Sequence, residues 1–125
     1  MGDERIQKAD QPANARALLY SEYQGVLATN SVVMPGFPFG SFLSYCLDNN
    51  GVPLLLISRI AQHTRNLAVD PHCSLLISQR NSENEQATPR LTLLARAEKT
   101  IDTESCARCF YRYFPDYQDF HVAYD

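Results

Sequence analysis

The sequence lacks long apolar runs and any excess of basic residues. Its longest apolar stretch, Val52 to Ile57, has the length of a strand and falls far short of the roughly 20 residues of a membrane helix. The 11 basic and 14 acidic residues give a net charge of −3, which argues against a dedicated nucleic-acid binder. The N-terminal segment is polar and carries no apolar signal-peptide core. The sequence therefore predicts a cytoplasmic protein without nucleic-acid or membrane partners.

Cysteine is also scarce, with four residues spread along the chain at positions 46, 73, 106 and 109. Four scattered cysteines are too few for a disulfide scaffold, so reduced thiols are expected. Cys106 and Cys109 form a single C-x-x-C, but their segment is predicted to be helical and no second pair stands at zinc-site spacing. We therefore expect no metal site, and a structural or incidental role for this pair.

The sequence does contain enough apolar residues for one core. With 125 residues, 45% of them hydrophobic, the chain can bury roughly two-thirds of its unfolded surface. This composition excludes intrinsic disorder as the general state. We expect a flexible tail over residues 1–12 and a single domain over residues 13–125.

Hydrophobic alternation and turn residues predict five strands in hairpin order and three short helices. The expected strands cover residues 25–31, 39–48, 52–58, 73–79 and 90–100, and the expected helices cover residues 13–23, 62–69 and 103–114. The second strand has apolar residues on both alternating faces, which predicts burial on both sides. Asp48 to Gly51 has the composition of a hairpin turn. This order is typical of a mainly antiparallel small barrel, all-β or α+β in class.

Polar side chains cluster where the third strand ends and the next helix begins, over Ser58 to Leu67. The first amides of a helix lack intrahelical partners and favour anions, and hydroxyl groups add donors. Arg59 or Arg65 is able to hold a phosphate through two parallel bonds. The same residues also suit a capped helix start with solvated polar side chains, so the pattern alone leaves both interpretations open.

This segment carries a family resemblance. The order Ser58-x-x-Ala61-x-His63-Thr64-x-Asn66-Leu67-x-x-Asp70-Pro71 resembles the FMN-binding split-barrel superfamily, typified by pyridoxamine 5′-phosphate oxidase. Within it, the branch of HugZ-like haem-utilisation proteins and CREG-like proteins is the most similar. Supporting segments stand in the same order at Ala17 to Thr29, Gly36 to Ser41, Gly51 to Pro53 and Pro89 to Leu93, so the resemblance covers most of the chain.

The resemblance implies a mainly β, six-stranded antiparallel split β-barrel with short peripheral helices and FMN in clefts of a homodimer. Strands that are apolar on both faces favour dimerisation independently. The implied function is an FMN-dependent oxidoreductase acting on a small molecule. The implied phosphate contacts lie around the helix start, with a second-strand serine and a fifth-strand arginine near the flavin ring. The residues implied to bind the cofactor are Ser41, Ser58, Arg59, His63, Thr64, Asn66 and Arg90.

Departures from the family pattern keep other functions open. The chain stops at Asp125, where relatives usually continue into a further strand and a substrate-binding tail, which would leave the domain truncated at its C-terminus. HugZ-like proteins tend to ligate haem iron through a C-terminal extension, and here only His121 lies near that end. The alternatives are a haem-binding or haem-degrading protein, and a non-enzymatic dimeric module with an empty flavin cleft.

Overall fold

The computed structural model of the chain describes residues 11–55, 57–80 and 88–99. These residues form two short helices and five strands. In chain order they are α1 (Gln11–Ser21), β1 (Gln24–Asn30), β2 (Pro38–Leu47), β3 (Pro53–Leu55), α2 (Gln62–Val69), β4 (His72–Ser78) and β5 (Arg90–Arg96). Neither of these two helices is long and apolar enough to cross a membrane.

The strands form one antiparallel sheet in the order β3-β2-β1-β4-β5. On the central strand β1, Leu27 pairs with Ser41 of β2 and with Leu75 of β4. The next pairing outward places Leu75 opposite Leu93 of β5. Paired residues of antiparallel strands point to the same side of a sheet, so these four side chains share one face. We name it the inner face.

The inner face carries the hydrophobic core, and both helices pack against it. Leu27 and Ile77 are 1% and 0% exposed. Helix α1 adds Leu18 and Leu19 to this cluster, and Leu67 of α2 packs against it. Because side chains alternate between the faces of a strand, the strand residues of this cluster all lie on the inner face.

A buried tyrosine joins β2 to α1. Tyr45 is 1% exposed, and its hydroxyl donates to the backbone carbonyl of Leu19 at 2.7 Å. Burial, together with the nearby Glu22 carboxylate, raises the pKa of Tyr45 to about 12. The hydroxyl therefore remains a neutral donor throughout the ordinary pH range.

Glu22 and Arg80 join the end of α1 to the end of β4. Oε1 of Glu22 accepts from the backbone amide and from Nε of Arg80, each at 2.9 Å. The guanidinium also lies 4.3 Å from the centroid of the Tyr23 ring. The Glu22 side chain is only 6% exposed. These bonds therefore compensate for the hydration that the carboxylate loses on burial.

The connection between β2 and β3 is a tight turn built by an aspartate and a glycine. Oδ1 of Asp48 accepts from the amides of Asn50 and Val52, at 2.8 and 2.9 Å. Gly51 has a φ of 78°, a conformation that residues with a side chain rarely adopt. The hairpin turn predicted over residues 48–51 is confirmed.

The predicted elements within the described residues are confirmed, with differences at their ends. Helix α2 has the predicted bounds, whereas α1 begins at Gln11 and ends at Ser21. Strand β3 is shorter than the predicted 52–58, and β5 ends at Arg96. The described residues contain five strands, so the predicted sixth strand is not confirmed. The predicted helix over 103–114 and residues 1–10 of the predicted tail lie outside the described residues.

Two expectations require correction. Burial of the second strand on both sides is wrong at Phe42, whose side chain is 70% exposed, because the described helices pack only against the inner face. Reduced thiols throughout the chain are also wrong, since Cys46 is disulfide-bonded, whereas Cys73 is a free thiol.

We expect Tyr45→Phe to lower the free energy of unfolding by about 1–2 kcal/mol, because the Leu19 carbonyl would lose its buried partner while the ring stays in place. Urea unfolding followed by circular dichroism measures this change. Tyr20→Phe is the matched control, since Tyr20 is 63% exposed. An equal loss in both variants would contradict the role given to the Tyr45 hydroxyl.

Candidate functional site

The polar segment predicted to hold a phosphate forms the turn that leads into α2. The Ser58 carbonyl accepts from the Ala61 amide at 3.2 Å and from the Thr64 hydroxyl. The Ser58 hydroxyl accepts from the Ile60 amide at 3.3 Å. Ala61 occupies the N-cap position without any side-chain bond to the first amides of the helix. The structure thus brings Ser58 and Thr64 together beside a helix start that no side chain caps.

His63, in the first turn of α2, contacts Ser41 of β2. Nδ1 of His63 lies 3.0 Å from the Ser41 hydroxyl, and that hydroxyl donates to the Leu27 carbonyl at 3.4 Å. The Ser41 hydroxyl thus lies within hydrogen-bond distance of both Nδ1 of His63 and the Leu27 carbonyl. The other ring nitrogen, Nε2, is buried and has no hydrogen-bond partner among the described residues. Burial lowers the pKa of His63 below its ordinary value of 6.5.

Asn66 fastens α2 to β1 and to the loop that follows β1. Its Oδ1 accepts from the Val32 amide at 3.1 Å and from the Gln62 side chain at 2.9 Å. Its Nδ2 donates to the Thr29 hydroxyl at 3.0 Å. Asn66 is 0% exposed, so a ligand on the surface does not reach its amide in this conformation. These are the contacts of a structural link.

The two arginines of the predicted site lie apart. Arg59 is exposed in the turn before α2, and Arg90 is exposed at the start of β5, opposite Ser78. Since β4 runs antiparallel to β1, Arg90 lies near the level at which β1 begins. Asn66, by contrast, contacts Thr29 close to the end of β1. Within one copy of the chain, the structure does not bring Arg90 to the start of α2.

A second polar cluster lies at the other end of α2, where no site was predicted. Nδ1 of His72 lies 2.7 Å from Oδ1 of Asp70. The same oxygen accepts from the His72 backbone amide at 3.1 Å, and Oδ2 accepts from the Asn30 side chain at 2.9 Å. These bonds, above all the one from the backbone amide, lower the pKa of Asp70. Asp70 is therefore a carboxylate that holds the His72 imidazole in one orientation.

The sheet face opposite the core is named the outer face. It carries four exposed apolar side chains, with exposures of 37% for Val26, 70% for Phe42, 41% for Leu76 and 85% for Leu94. The register groups them, because Val26 pairs with both Phe42 and Leu76. The outer-face positions used below are Val26, Ala28, Gly40, Phe42, His72, Ser74, Leu76, Arg90, Thr92, Leu94 and Arg96.

The contact between Asp70 and His72 was not predicted from the sequence. One signal was present, because an aspartate that follows a helix often accepts a bond from the amide two residues further on. The segment Asp70-Pro71-His72 fits that pattern and places an imidazole directly beside the carboxylate. The contact of Asp70 with Asn30 joins residues forty positions apart and left no local signal.

The antiparallel sheet, with two short helices on its inner face, defines a small, mainly β domain. The family model described as CREG, beta-barrel matches residues 6–121, so the chain belongs to this family. The resemblance to the CREG-like branch, inferred above from the segment around α2, is therefore confirmed.

Two relatives more than 30% identical to the chain have names that refer to haem. The "Non-canonical heme oxygenase HOZ, chloroplastic" of Arabidopsis thaliana is 34% identical over 105 residues, which are 84% of this chain and 32% of that protein. The chain thus spans about a third of the length of that relative. The solved structure of a heme binding protein from Mycobacterium smegmatis is 32% identical, with a TM-score of 0.68, and the match covers 85% of this chain and 46% of that one.

A further solved structure supports the fold. HutZ, described as the heme storage protein from Vibrio cholerae, is 23% identical, with a TM-score of 0.69, and the match covers 87% of this chain and 79% of that one. At this identity the likeness is evidence of the fold alone. It is consistent with the split barrel predicted from the sequence.

The lowered pKa of His63 predicts a stability that depends on pH. The unfolded chain, with its imidazole in water, binds more protons than the folded chain as pH falls through the ordinary value of 6.5. The free energy of unfolding should therefore rise between about pH 5.5 and about pH 7.5, and His63→Gln should remove this part of the rise. Urea unfolding at several pH values measures both slopes. The same slope in the variant as in the wild type would show that His63 is not responsible.

Proposed function

We propose that this domain binds haem. Two relatives more than 30% identical to the chain support the proposal, because both are named for haem. None of the three relatives described above is named for a flavin, so haem replaces FMN as the proposed cofactor. The proposal concerns binding, since the oxygenase activity in the name of HOZ belongs to a much longer protein.

The observation that carries the proposal is the exposed apolar patch on the outer face. Phe42 and Leu94 expose 70% and 85% of their surface, and Val26 and Leu76 lie between their strands. Contiguous apolar surface on a folded domain usually marks a place where a ligand or partner binds. Haem has a flat apolar ring, and a sheet face that bears exposed apolar side chains offers a matching surface.

Two arginines on the same face suit the remaining part of haem. Arg90 and Arg96 occupy outer-face positions at the two ends of β5, and Leu94 lies between them. A guanidinium binds a carboxylate through two parallel hydrogen bonds, and haem carries two propionate carboxylates. Arg90, predicted from the resemblance to face a flavin, is thus proposed to contact a cofactor of another kind.

The start of α2 supports a flavin phosphate less well. The Thr64 hydroxyl already donates its hydrogen to the Ser58 carbonyl, and the Asn66 amide is enclosed by protein groups. Two of the predicted phosphate donors therefore serve the turn and the helix itself. Haem binding on the outer face requires neither of them.

We also propose that the chain forms a homodimer, as the sequence led us to expect. Phe42 lies on β2, at the opposite side of the outer face from Leu94 on β5. A second copy over the Phe42 side would cover apolar surface that the described helices leave exposed. Haem beside Leu94 would then lie at the margin of this contact.

We expect Leu94→Asp to weaken haem binding by about tenfold or more, because a charge would replace an apolar contact with the ring. Titration of the purified chain with hemin, followed by the Soret band, measures the affinity. Val33→Asp is the matched control, since Val33 is 69% exposed in the loop after β1, away from the outer face. The control should bind hemin like the wild type.

Two results would overturn the proposal. A wild-type chain that gives no saturable Soret change with hemin would exclude haem binding. Equal weakening in Leu94→Asp and Val33→Asp would remove the outer face as its location. A parallel titration with FMN tests the earlier expectation, since retained flavin absorbance would restore FMN as the cofactor.

The homodimer has a separate test. We expect Phe42→Asp to shift the chain from dimer to monomer, because a charge at the contact would lose its solvation. Size-exclusion chromatography with light scattering measures the mass, with Val33→Asp again as the control. A wild type that is already monomeric at high concentration would contradict the dimer while leaving haem binding open.

A further inference from the structure

The exposed imidazole of His72 is fixed in place by groups that are themselves fixed. Its side chain is 68% exposed, and Nδ1 lies 2.7 Å from Oδ1 of Asp70. Asp70 cannot easily turn away, because its second oxygen accepts from Asn30 and its first also accepts from the His72 backbone amide. A freely solvated histidine would have none of these restraints, so the orientation of this imidazole needs an explanation.

The contact with the carboxylate determines which ring nitrogen remains available. A carboxylate only accepts hydrogen bonds, so Nδ1 of His72 carries the hydrogen between the two groups. In the neutral imidazole, Nε2 is then unprotonated, with its lone pair directed away from Asp70. Histidines that bind metals almost always show this pattern, with the other nitrogen donating to a carboxylate or carbonyl.

From this geometry, and resting on the haem binding proposed above, we propose that Nε2 of His72 is the axial ligand of the haem iron. A free metal ion needs several protein ligands, and the residues described by the structure contain no group of three or more acidic, histidine or cysteine side chains able to hold one. Haem iron already has four porphyrin nitrogens. A single well-oriented imidazole is enough to complete its attachment.

The surroundings of His72 fit the other parts of the haem molecule. Arg96 is the register partner of His72, so a cation that suits a propionate lies directly beside the ligand. Leu94, the most exposed of the apolar side chains named on the outer face, lies two residues before Arg96 and shares that face. The imidazole, the guanidinium and the apolar contact therefore come from adjacent positions on β4 and β5.

There is also room for a ring beside the imidazole. In the row of outer-face positions next to His72 and Arg96, Leu94 on β5 is followed across the sheet by the small residues Ser74, Ala28 and Gly40. A methyl group placed on Gly40 would contact only Val26, at 3.6 Å, so the space above this glycine is open. The larger side chains of Val26 and Phe42 begin one row further away.

The experiment compares hemin complexes of the wild-type chain, His72→Ala and His121→Ala. The wild type should show the absorption and electron paramagnetic resonance spectra of histidine-ligated ferric haem. His72→Ala should lose those spectra and bind hemin about tenfold or more weakly, and added imidazole should restore the histidine-type spectra. His121→Ala, which removes the histidine nearest the C-terminus, should leave the spectra unchanged.

The variant Asp70→Asn tests the role of the Asp70 carboxylate while keeping His72 as the proposed iron ligand. The variant should keep histidine ligation, but its iron should be easier to reduce, because an amide makes the imidazole a weaker electron donor than a carboxylate does. A reduction potential raised relative to that of the wild type would support the role of Asp70. An unchanged potential would contradict it, since it would show that the bond between Asp70 and His72 has no influence on the iron.

The failures of the two proposals can be told apart. If the wild type does not bind hemin, the proposed function fails and the ligand assignment fails with it. If the wild type binds hemin and His72→Ala retains the histidine-type spectra, haem binding stands and His72 is excluded as the ligand. Loss of those spectra in His121→Ala would likewise overturn the assignment. Urea unfolding of each variant establishes that a lost spectrum is not a lost fold.

Discussion

The side-chain amide of Asn66 is the contact on which both polar clusters depend. It binds β1 and the following loop with donors and acceptors that are all directed at protein groups, and this fixes α2 in one position. On one side of Asn66 along the helix, His63 is held against Ser41. On the other side, the Asp70 amide donates to the Asn66 carbonyl at 2.9 Å, and the Asp70 carboxylate then holds His72. Since a buried amide left without partners costs about 1–3 kcal/mol for each lost bond, a shifted helix is strongly disfavoured.

The two faces of the sheet differ, and this difference explains why the domain has exposed apolar surface on its outer face. A chain of 125 residues supports one core, and the inner face with its two helices already forms it. Four apolar side chains on the outer face therefore take no part in this core and remain exposed: Val26, Phe42, Leu76 and Leu94. Their exposure is disfavoured in water, and contact with a planar apolar molecule or with another protein surface removes that cost.

Local features of the sequence predicted the elements well, and long-range contacts account for what they did not predict. The bounds of α2 follow from its composition and from the proline after Asp70, and the turn at Asp48 to Gly51 follows from its residue types. Asn66 illustrates the limit. An asparagine at a helix start suits a phosphate and a structural link equally well, and its actual partner Thr29 lies thirty-seven positions away. The family pattern around α2 gave the fold class, whereas the preference for haem over FMN rests on the names of relatives.

Asp70 lies between the end of α2 and the start of β4. Its backbone amide donates to the Asn66 carbonyl in the last turn of the helix, and its carboxylate holds the His72 imidazole. Fraying of the last turn of α2 therefore moves the residue that orients the His72 ring. Because linkage is reciprocal, a ligand that prefers the held imidazole also stabilises the helix end, and a substitution that loosens the helix weakens binding of that ligand. Hydrogen exchange at the Asp70 amide would report this linkage at an atom that no ligand touches. The exchange rate in the final turn of α2 would therefore report ligand binding on the outer face of the sheet.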